Sequence, residues 1–119
     1  INIIPQDINR VVINLLNNAF YAVGERQHSN TDTTWKPIVK ISTKQLNSKV
    51  TIGIEDNGTG IPDDVKERIF NPFFTTKPTG EGTGLGLSIC YDIIKSHGGE
   101  ITVESEFGKG TKFNIVLII

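Results

Sequence analysis

The sequence has few of the features that place a chain in the disulfide-rich, membrane or nucleic-acid-binding classes. It contains one cysteine, Cys90, which excludes an internal disulfide and is typical of a reducing compartment. No apolar run approaches the roughly 20 residues of a membrane span, and no signal-peptide pattern is present. The net charge is −1 with no basic stripe, so nucleic-acid binding has little support. What remains is a globular chain, and its 119 residues are enough for one domain with one core.

The chain also lacks the common phosphate-binding motifs. A P-loop needs Gly, four residues and then Gly-Lys-Ser/Thr, and the nearest run, 108–111, does not have that spacing. The dinucleotide fingerprint fails because Leu87 stands where its third small residue belongs. The motifs of eukaryotic protein kinases are absent as well. A nucleotide site in this chain therefore has to be of another kind.

Glycine is concentrated in one part of the sequence. Six of the twelve glycines lie between Gly58 and Gly86, in the runs 56–60 and 80–87. Glycine weakens helix and strand interiors, but it allows positive φ and close approach of backbone N–H groups to a ligand. The second run leads into an apolar helical pattern, and a helix N-terminus attracts anions. We therefore take a phosphate group as the first candidate ligand.

The hydrophobic period predicts a long amphipathic helix near the start of the chain. The apolar positions recur at spacings of three and four residues and predict a helix that begins at about Gln6 and ends at Gly24. These positions are Ile8, Val12, Leu15, Leu16, Ala19 and Val23. Asn14 and Asn18 are four residues apart and share one edge of this helix, with Tyr21 a turn further on. The following stretch, 25–36, is polar and predicts an exposed loop.

Two hairpins and two further helices complete the prediction. The strands are expected at 36–45 and 49–56, and again on either side of the glycine-containing turn 107–110. A short helix is predicted over 62–70, and a largely buried one runs from about Leu85 to a left-handed cap at Gly98 or Gly99. Cys90 lies in that helix and is interpreted as a core residue.

Successive side chains of a strand point to opposite faces of the sheet. In the predicted strand 49–56, Asp56 therefore lies on the same inward face as Ile52 and Ile54. A buried carboxylate without a partner costs about several kcal/mol, so it needs a donor. The donor is either a structural hydrogen bond within the protein or a group that a ligand brings. The residues alone leave both interpretations open.

Four segments in order resemble the sequence boxes of the histidine-kinase catalytic ATP-binding domain, a member of the GHKL ATPases. The segments are 14–19 (Asn-Leu-Leu-Asn-Asn-Ala), 56–60 (Asp-Asn-Gly-Thr-Gly), 70–77 (Phe-Asn-Pro-Phe-Phe-Thr-Thr-Lys) and 80–87 (Gly-Glu-Gly-Thr-Gly-Leu-Gly-Leu). The resemblance runs from about Asp7 to the C-terminus. The Thr-Thr-Lys ending is similar to the nitrogen-regulation subclass. The resemblance implies the Bergerat fold, an α/β (α+β) two-layer sandwich of about three helices on one mixed, mostly antiparallel sheet of about five strands.

The resemblance also implies cofactors and roles. ATP and Mg²⁺ would bind, with the carboxylate of Asp56 accepting from the adenine amino group and the amide of Asn18 as a ligand of Mg²⁺. The catalytic positions would be Asn14, Asn18 and Lys77, with an irregular lid over about 71–83. The ATP contacts implied are Asn18, Tyr21, Asp56, Gly58, Gly60, Ile61, Phe70, Lys77, Gly82, Thr83, Gly84, Leu85, Gly86, Leu87 and Thr111.

Within the superfamily that the sequence resembles, the residue at the position of Asn14 distinguishes hydrolysis from phosphoryl transfer. Hydrolytic relatives have Glu at this position as the base for water, and an amide cannot accept a proton at neutral pH. Phosphoryl transfer to another group is therefore expected. Neither His28 nor His97 lies in the family's acceptor pattern, so both are interpreted as structural and the acceptor histidine as external.

The implied partners are the parent's own dimerisation and acceptor domain and a response regulator, with no nucleic acid and no membrane contact by this domain. We expect residues 1–119 to be one cytoplasmic domain excised from a longer sensor kinase, whose membrane anchorage is left open. Two alternatives stay open: a Ser/Thr kinase of the anti-sigma type, and a nucleotide-sensing module without transfer chemistry.

Overall fold

The computed structural model describes residues 5–29, 34–71 and 86–118. These residues form three helices and four strands, in the order α1 (Pro5–Ser29), β1 (Val39–Leu46), β2 (Lys49–Asp56), α2 (Asp63–Lys66), α3 (Gly86–Ser96), β3 (Glu100–Glu106) and β4 (Gly110–Ile118). The helices lie on one face of a single sheet, so the predicted two-layer α/β architecture is confirmed.

The sheet has the strand order β1-β2-β4-β3, and every neighbouring pair is antiparallel. About five strands in a mixed sheet were expected, whereas the described residues form four, all antiparallel. The register aligns Asp56 with Thr111, and β4 alternates between buried and half-buried positions. The inner face is therefore continuous from β2 to β4 to β3, and Asp56 lies at its end.

The core lies between α1, α3 and the inner face of the sheet. Its most completely buried side chains are Leu15, Ile54, Ile94, Ile115, Val11 and Cys90. The predicted stripe of α1 is confirmed at Ile8, Leu15, Ala19 and Val23. Full burial of a side chain of this kind stabilises the fold by about 1.5–3 kcal/mol, so this stripe fixes the rotation of α1 on the sheet.

Helix α1 is longer than its pattern predicts. It continues through Gly24 to Ser29, so both the predicted end at Gly24 and the loop expected from Glu25 are wrong. A glycine inside a helix costs about 1 kcal/mol relative to alanine, which is why it was taken as the end. The last turn is instead held by tertiary contacts of Arg26, which local sequence does not reveal.

The other helices follow the predictions more closely. Of the helix expected over 62–70, only Asp63–Lys66 is helical, with Pro62 at its N-cap, and turns follow to Phe70. Helix α3 ends as expected, because Gly98 has φ +73° and supplies the left-handed cap. The Gly99 N–H donates to the carbonyl of Ile94 at 2.9 Å, which satisfies one of the last carbonyls of α3.

Candidate functional site

Asp56 is the buried acid of the site. Only 7% of the residue is exposed, which confirms the inward position that the strand period predicts. Its Oδ1 accepts a hydrogen bond from the backbone N–H of Gly58 at 2.8 Å. Burial raises the pKa of Asp56 above its ordinary value of 3.8, and Glu55 adds to this, while backbone hydrogen bonds from Gly58 and Thr111 oppose the rise. The protein thus orients the carboxylate, but the hydrogen bonds offset only part of the free-energy cost of removing it from water.

The glycines after Asp56 fit into tight backbone packing. A Cβ placed on Gly58 would lie 2.6 Å from the backbone carbon of Ala22 in α1. Gly60 has φ +73°, and a Cβ there would lie 2.1 Å from the carbonyl oxygen of Glu106. Both glycines therefore have a structural reason in addition to the predicted ligand contact, since they let the turn 57–60 lie against α1 on one side and the β3–β4 turn on the other.

Ser105 joins Ile61, which follows the turn 57–60, to the first residues of β4. Its Oγ accepts from the backbone N–H of Ile61 at 2.7 Å and donates to the carbonyl of Gly110 at 2.9 Å. The same Oγ lies 2.9 Å from Oγ1 of Thr111, which is buried beside Asp56. The structure thus brings Asp56, Gly58, Gly60, Ile61 and Thr111 together in one region, as the resemblance implies.

A second part of the region lies along α1. Asn14 is half-buried on α1 near the thiol of Cys90, where it opposes the rise in the thiol's pKa that burial causes. Ala22 lies two turns further along α1, about 12 Å from Asn14 at 1.5 Å per residue. Its backbone touches Gly58. Asn18 and Tyr21 are half-buried on the same helix between these two positions. This edge of α1 therefore connects the middle of α3, at Cys90, with the turn at Asp56.

Cys90 belongs to the core, as predicted. It is fully buried, and its thiol lies 3.8 Å from the carbonyl of Val11. Burial raises the pKa of the thiol above 9.0, which keeps it protonated and unreactive at neutral pH.

The aromatic and apolar candidates pack against the core. The ring of Phe70 packs against Tyr91 of α3 at a centroid distance of 5.5 Å and against Phe113 of β4 at 6.3 Å. Ile61, Phe70 and Leu87 are all partly buried against the core cluster. Gly86 is the first residue of α3 that the structure describes.

Several predicted contacts cannot be placed relative to Asp56. The following candidates lie outside the described residues: Lys77, Gly82, Thr83, Gly84 and Leu85. The same is true of the lid expected over 71–83, apart from its first residue. The two histidines are described: His28 is exposed near the end of α1, and Nδ1 of His97 lies 2.7 Å from the carbonyl of Ile93.

Two residues of the region, Arg26 and Asn57, have tertiary contacts that the sequence does not reveal. The guanidinium of Arg26 donates to the carbonyls of Asn57 at 3.0 Å, Gly58 at 3.1 Å and Lys109 at 3.3 Å. The side chain of Asn57 accepts from the Ile38 N–H at 2.7 Å and donates to a carbonyl at 2.7 Å, that of Lys36. These partners are distant in sequence, so no local pattern could have found them.

The fold and the site together define a class: a small α/β domain with a buried acid at a strand end, a glycine-dependent turn and asparagines on the adjoining helix. Residues 3–118 match the family described as histidine kinase-, DNA gyrase B-, and HSP90-like ATPase. This chain belongs to that family. The resemblance in the sequence is thereby confirmed over almost its whole length.

The similar proteins are sensor kinases. The chain is 63% identical over 68 residues to sensor kinase CckA of Brucella abortus, a match that covers 57% of this chain and 7% of that protein. It is 38% identical to sensor histidine kinase ZraS of Escherichia coli strain K12, over 95% of this chain and 22% of ZraS. Among solved structures, a nucleotide-free catalytic domain of histidine kinase ThkA superposes with a TM-score of 0.78 at 38% identity, covering 98% of this chain and 69% of that one. The chain thus spans less than a quarter of the length of these curated relatives.

Two features are absent from the described residues: a membrane-spanning helix and a cluster of metal-ligating side chains. No helix among residues 5–29, 34–71 and 86–118 is long and apolar enough to cross a membrane. Within the same part of the chain, no group of three or more His, Cys, Asp and Glu side chains could hold a metal ion.

Proposed function

We propose that this domain binds ATP with Mg²⁺ and transfers the γ-phosphoryl group to a histidine on a separate acceptor domain of the same parent protein. A response regulator would receive the phosphoryl group from that histidine, and the reaction would take place in the cytoplasm. Membership in an ATPase family and similarity to sensor histidine kinases support this class of reaction.

The observation that carries the proposal is the carboxylate of Asp56. It is buried at the end of β2, and the N–H of Gly58 orients it. Burial raises its pKa. A carboxylate in this state is a strong acceptor for a donor that a ligand brings, because the unfavourable burial is offset when the hydrogen bond forms. An adenine amino group is such a donor. The turn at Gly58 and Gly60 keeps the acceptor in place before the ligand arrives.

The proposed metal ligand is Asn18. Mg²⁺ is usually held by few protein oxygen ligands beside substrate phosphates and water, so an amide on α1 fits the ion, whereas a cluster of acids is not required. When bound, Mg²⁺ would neutralise charge on the β- and γ-phosphate oxygens. The residues of the chain would contribute position: α1 would present Asn18, Tyr21 and Asn14 along one edge, and the start of α3 near Gly86 would face the anion.

Asn14 argues for transfer in place of hydrolysis. Its amide lies against the thiol of Cys90, where neither group can take a proton from water at neutral pH. In the proposed reaction, Lys77, Thr83 and the glycines 82, 84 and 86 would contact the phosphates. Catalysis would then consist of positioning and charge stabilisation.

The experiment combines this domain with its acceptor segment, supplied as a separate fragment, and radiolabelled Mg·ATP. We expect the label to appear on the acceptor fragment as acid-labile phosphohistidine, with no label on the domain and little free phosphate. The variant Asn18→Ala should abolish the labelling. Asn17→Ala, which changes an exposed asparagine of the same helix, is the matched control and should leave labelling unchanged.

Three outcomes would overturn the proposal in different ways. An acid-stable label would indicate a Ser/Thr kinase. Nucleotide binding without any transfer would indicate a nucleotide-sensing module. Rapid release of phosphate by the domain alone would show that water is activated in spite of Asn14.

A further inference from the structure

We propose that Arg26 is a positioning residue for nucleotide binding, which acts by holding the turn 57–60 in the shape that presents Asp56. This inference rests on the proposed function, since it assigns to Arg26 a role in the binding of the same nucleotide. It concerns a residue outside the four sequence boxes, near the C-terminal end of α1.

The guanidinium lies at the junction of three segments. One nitrogen, Nη1, donates to the carbonyls of Asn57 and Gly58 in the turn and of Lys109 in the β3–β4 connection. Gly58 is therefore held on both sides, because its carbonyl accepts from Arg26 and its N–H donates to the carboxylate of Asp56. Arg26 thus binds the carbonyl of the same peptide unit whose N–H donates to the carboxylate of Asp56.

The packing around this junction limits how the turn can move. The backbone of Ala22, one helical turn before Arg26, is in close contact with Gly58. On the other side, the N–H of Gly108 donates to the carbonyl of Thr59 at 2.7 Å. Arg26 closes the ring by connecting α1 to the turn and to Lys109. Without it, the carbonyls of Asn57 and Gly58 lose a charged donor, and only the contacts with Ala22 and Gly108 and the hydrogen bond to Asp56 hold the shape of the turn.

Arginine is suited to this position for two reasons. The three bonds described above all come from Nη1, whose two N–H groups are fixed in the guanidinium plane and are shared among the three carbonyls. The Cζ atom of the same guanidinium lies over the ring of Trp35, 5.1 Å from the ring centroid. This contact is a cation–π interaction and orients the guanidinium between its acceptors. A lysine would keep the charge but not the planar geometry.

The simpler interpretation is that Arg26 only stabilises the fold. The two interpretations differ in what happens to affinity when the protein is fully folded. A residue that acts through Asp56 should matter for nucleotide binding only while Asp56 is present. A merely structural residue should lower the unfolding temperature and leave the affinity of the folded fraction unchanged.

The test measures affinity for Mg·ATP and Mg·ADP by calorimetry, well below the unfolding temperature of each variant. We expect Arg26→Gln to weaken both nucleotides by about tenfold, the effect of losing hydrogen bonds to a charged donor. Arg26→Lys should recover part of this loss. Arg68→Gln, which removes an exposed arginine near α2, is the matched control and should change neither affinity. In an Asp56→Asn background, Arg26→Gln should cost less than about twofold, because coupled residues are not additive.

The results separate the possible failures. Wild-type protein that binds neither nucleotide overturns the proposed function, and the role of Arg26 with it. If the wild type binds, then unchanged affinity in Arg26→Gln, or an equal loss with and without Asp56, overturns the positioning role alone. A loss for ATP but not for ADP would indicate direct contact of Arg26 with the γ-phosphate and also overturns it. If Arg26→Gln does not fold, the same comparisons are made with Arg26→Lys, where unchanged affinity counts against the proposal.

Discussion

At one end of the sheet, β1 and β2 are connected by Asn47 and Ser48, and the residues around this turn are exposed. Leu46 is 63% exposed, and Asn47 has a φ of +57°, which asparagine tolerates. At the opposite end, the turn after Asp56 is pressed between α1 and the β3–β4 connection. There the left-handed position is Gly60, and a Cβ would meet the carbonyl oxygen of Glu106. Both ends reverse the chain, but only one of them is constrained by the rest of the molecule.

This difference shows where the sequence is restricted by tertiary structure. The β1–β2 turn satisfies only the local demands of a hairpin, so many residues would serve in it. The turn 57–60 has to accommodate a helix, a second turn and the carboxylate of Asp56 at the same time. We therefore expect substitutions to be costly at the second turn and nearly neutral at the first, which the following predictions test in order of expected effect.

The largest effect is expected from Gly60→Ala. The new Cβ would have both an unfavourable positive φ and a contact of 2.1 Å with backbone oxygen, so we expect a loss of more than about 3 kcal/mol in the free energy of unfolding. Gly98→Ala is the matched control, because Gly98 has the same φ of +73° and no atom within 4 Å of its added Cβ. That variant should lose only about 1–2 kcal/mol. Denaturant unfolding measures both, and equal losses would show that the close contact with Glu106 is unimportant.

The next effect concerns binding. Asp56→Asn should weaken Mg·ATP by about 1.5–3 kcal/mol, or roughly ten- to hundredfold, because the ligand loses a charged acceptor. Calorimetry gives the affinity. Glu55→Gln is the control, since Glu55 is exposed and points to the other face of the sheet. Unchanged affinity in Asp56→Asn would remove this residue from the nucleotide site.

The same variant should reveal the cost of burying the carboxylate. Because the pKa of Asp56 is raised in the folded protein, the folded state binds its proton more tightly than the unfolded state does. Its contribution to stability is therefore greatest below 3.8 and is lost as the pH rises through the folded pKa. The difference in free energy of unfolding, wild type minus Asp56→Asn, should fall with pH in that window. A difference that rises with pH would contradict the dominance of burial over the hydrogen bonds.

The smallest effect is expected at the open end of the sheet. Leu46→Ala should change the free energy of unfolding by less than about 0.5 kcal/mol, because the side chain is mostly in solvent. Leu117→Ala provides the contrast, since Leu117 lies near the same end on the inner face and is only 3% exposed. That variant should lose about 2–5 kcal/mol. A large loss in Leu46→Ala would mean that this end is more constrained than its exposure indicates.

Local patterns predicted most of the fold. The alternation from Val50 to Asp56 gave both the bounds of β2 and the inward acid, because each followed from a period of two along one strand. The cap at Gly98 and the β3–β4 hairpin followed from similarly local signals. The family boxes added the interpretation of Asn14 and Asn18, which periodicity alone places only on a shared helix edge.

The failures share a physical cause. Helix α1 continues past Gly24 because Arg26 bonds to residues 31 and 32 positions away, and to Lys109, 83 positions away. Gly58 and Gly60 were interpreted as ligand-facing, while their close neighbours Ala22 and Glu106 come from distant segments. Such contacts depend on how elements are packed, so a single sequence does not reveal them.

The stacking of Arg26 on Trp35 has a practical consequence. Trp35 is the single tryptophan of the chain, so its intrinsic fluorescence comes from one place: the junction where α1 meets the turn 57–60. Its indole Nε1 is buried and has no hydrogen-bond partner in the described part of the chain, so its emission depends mainly on packing and on the guanidinium above it. The protein thus carries an optical reporter at the turn next to Asp56, which would register a rearrangement there without any added label.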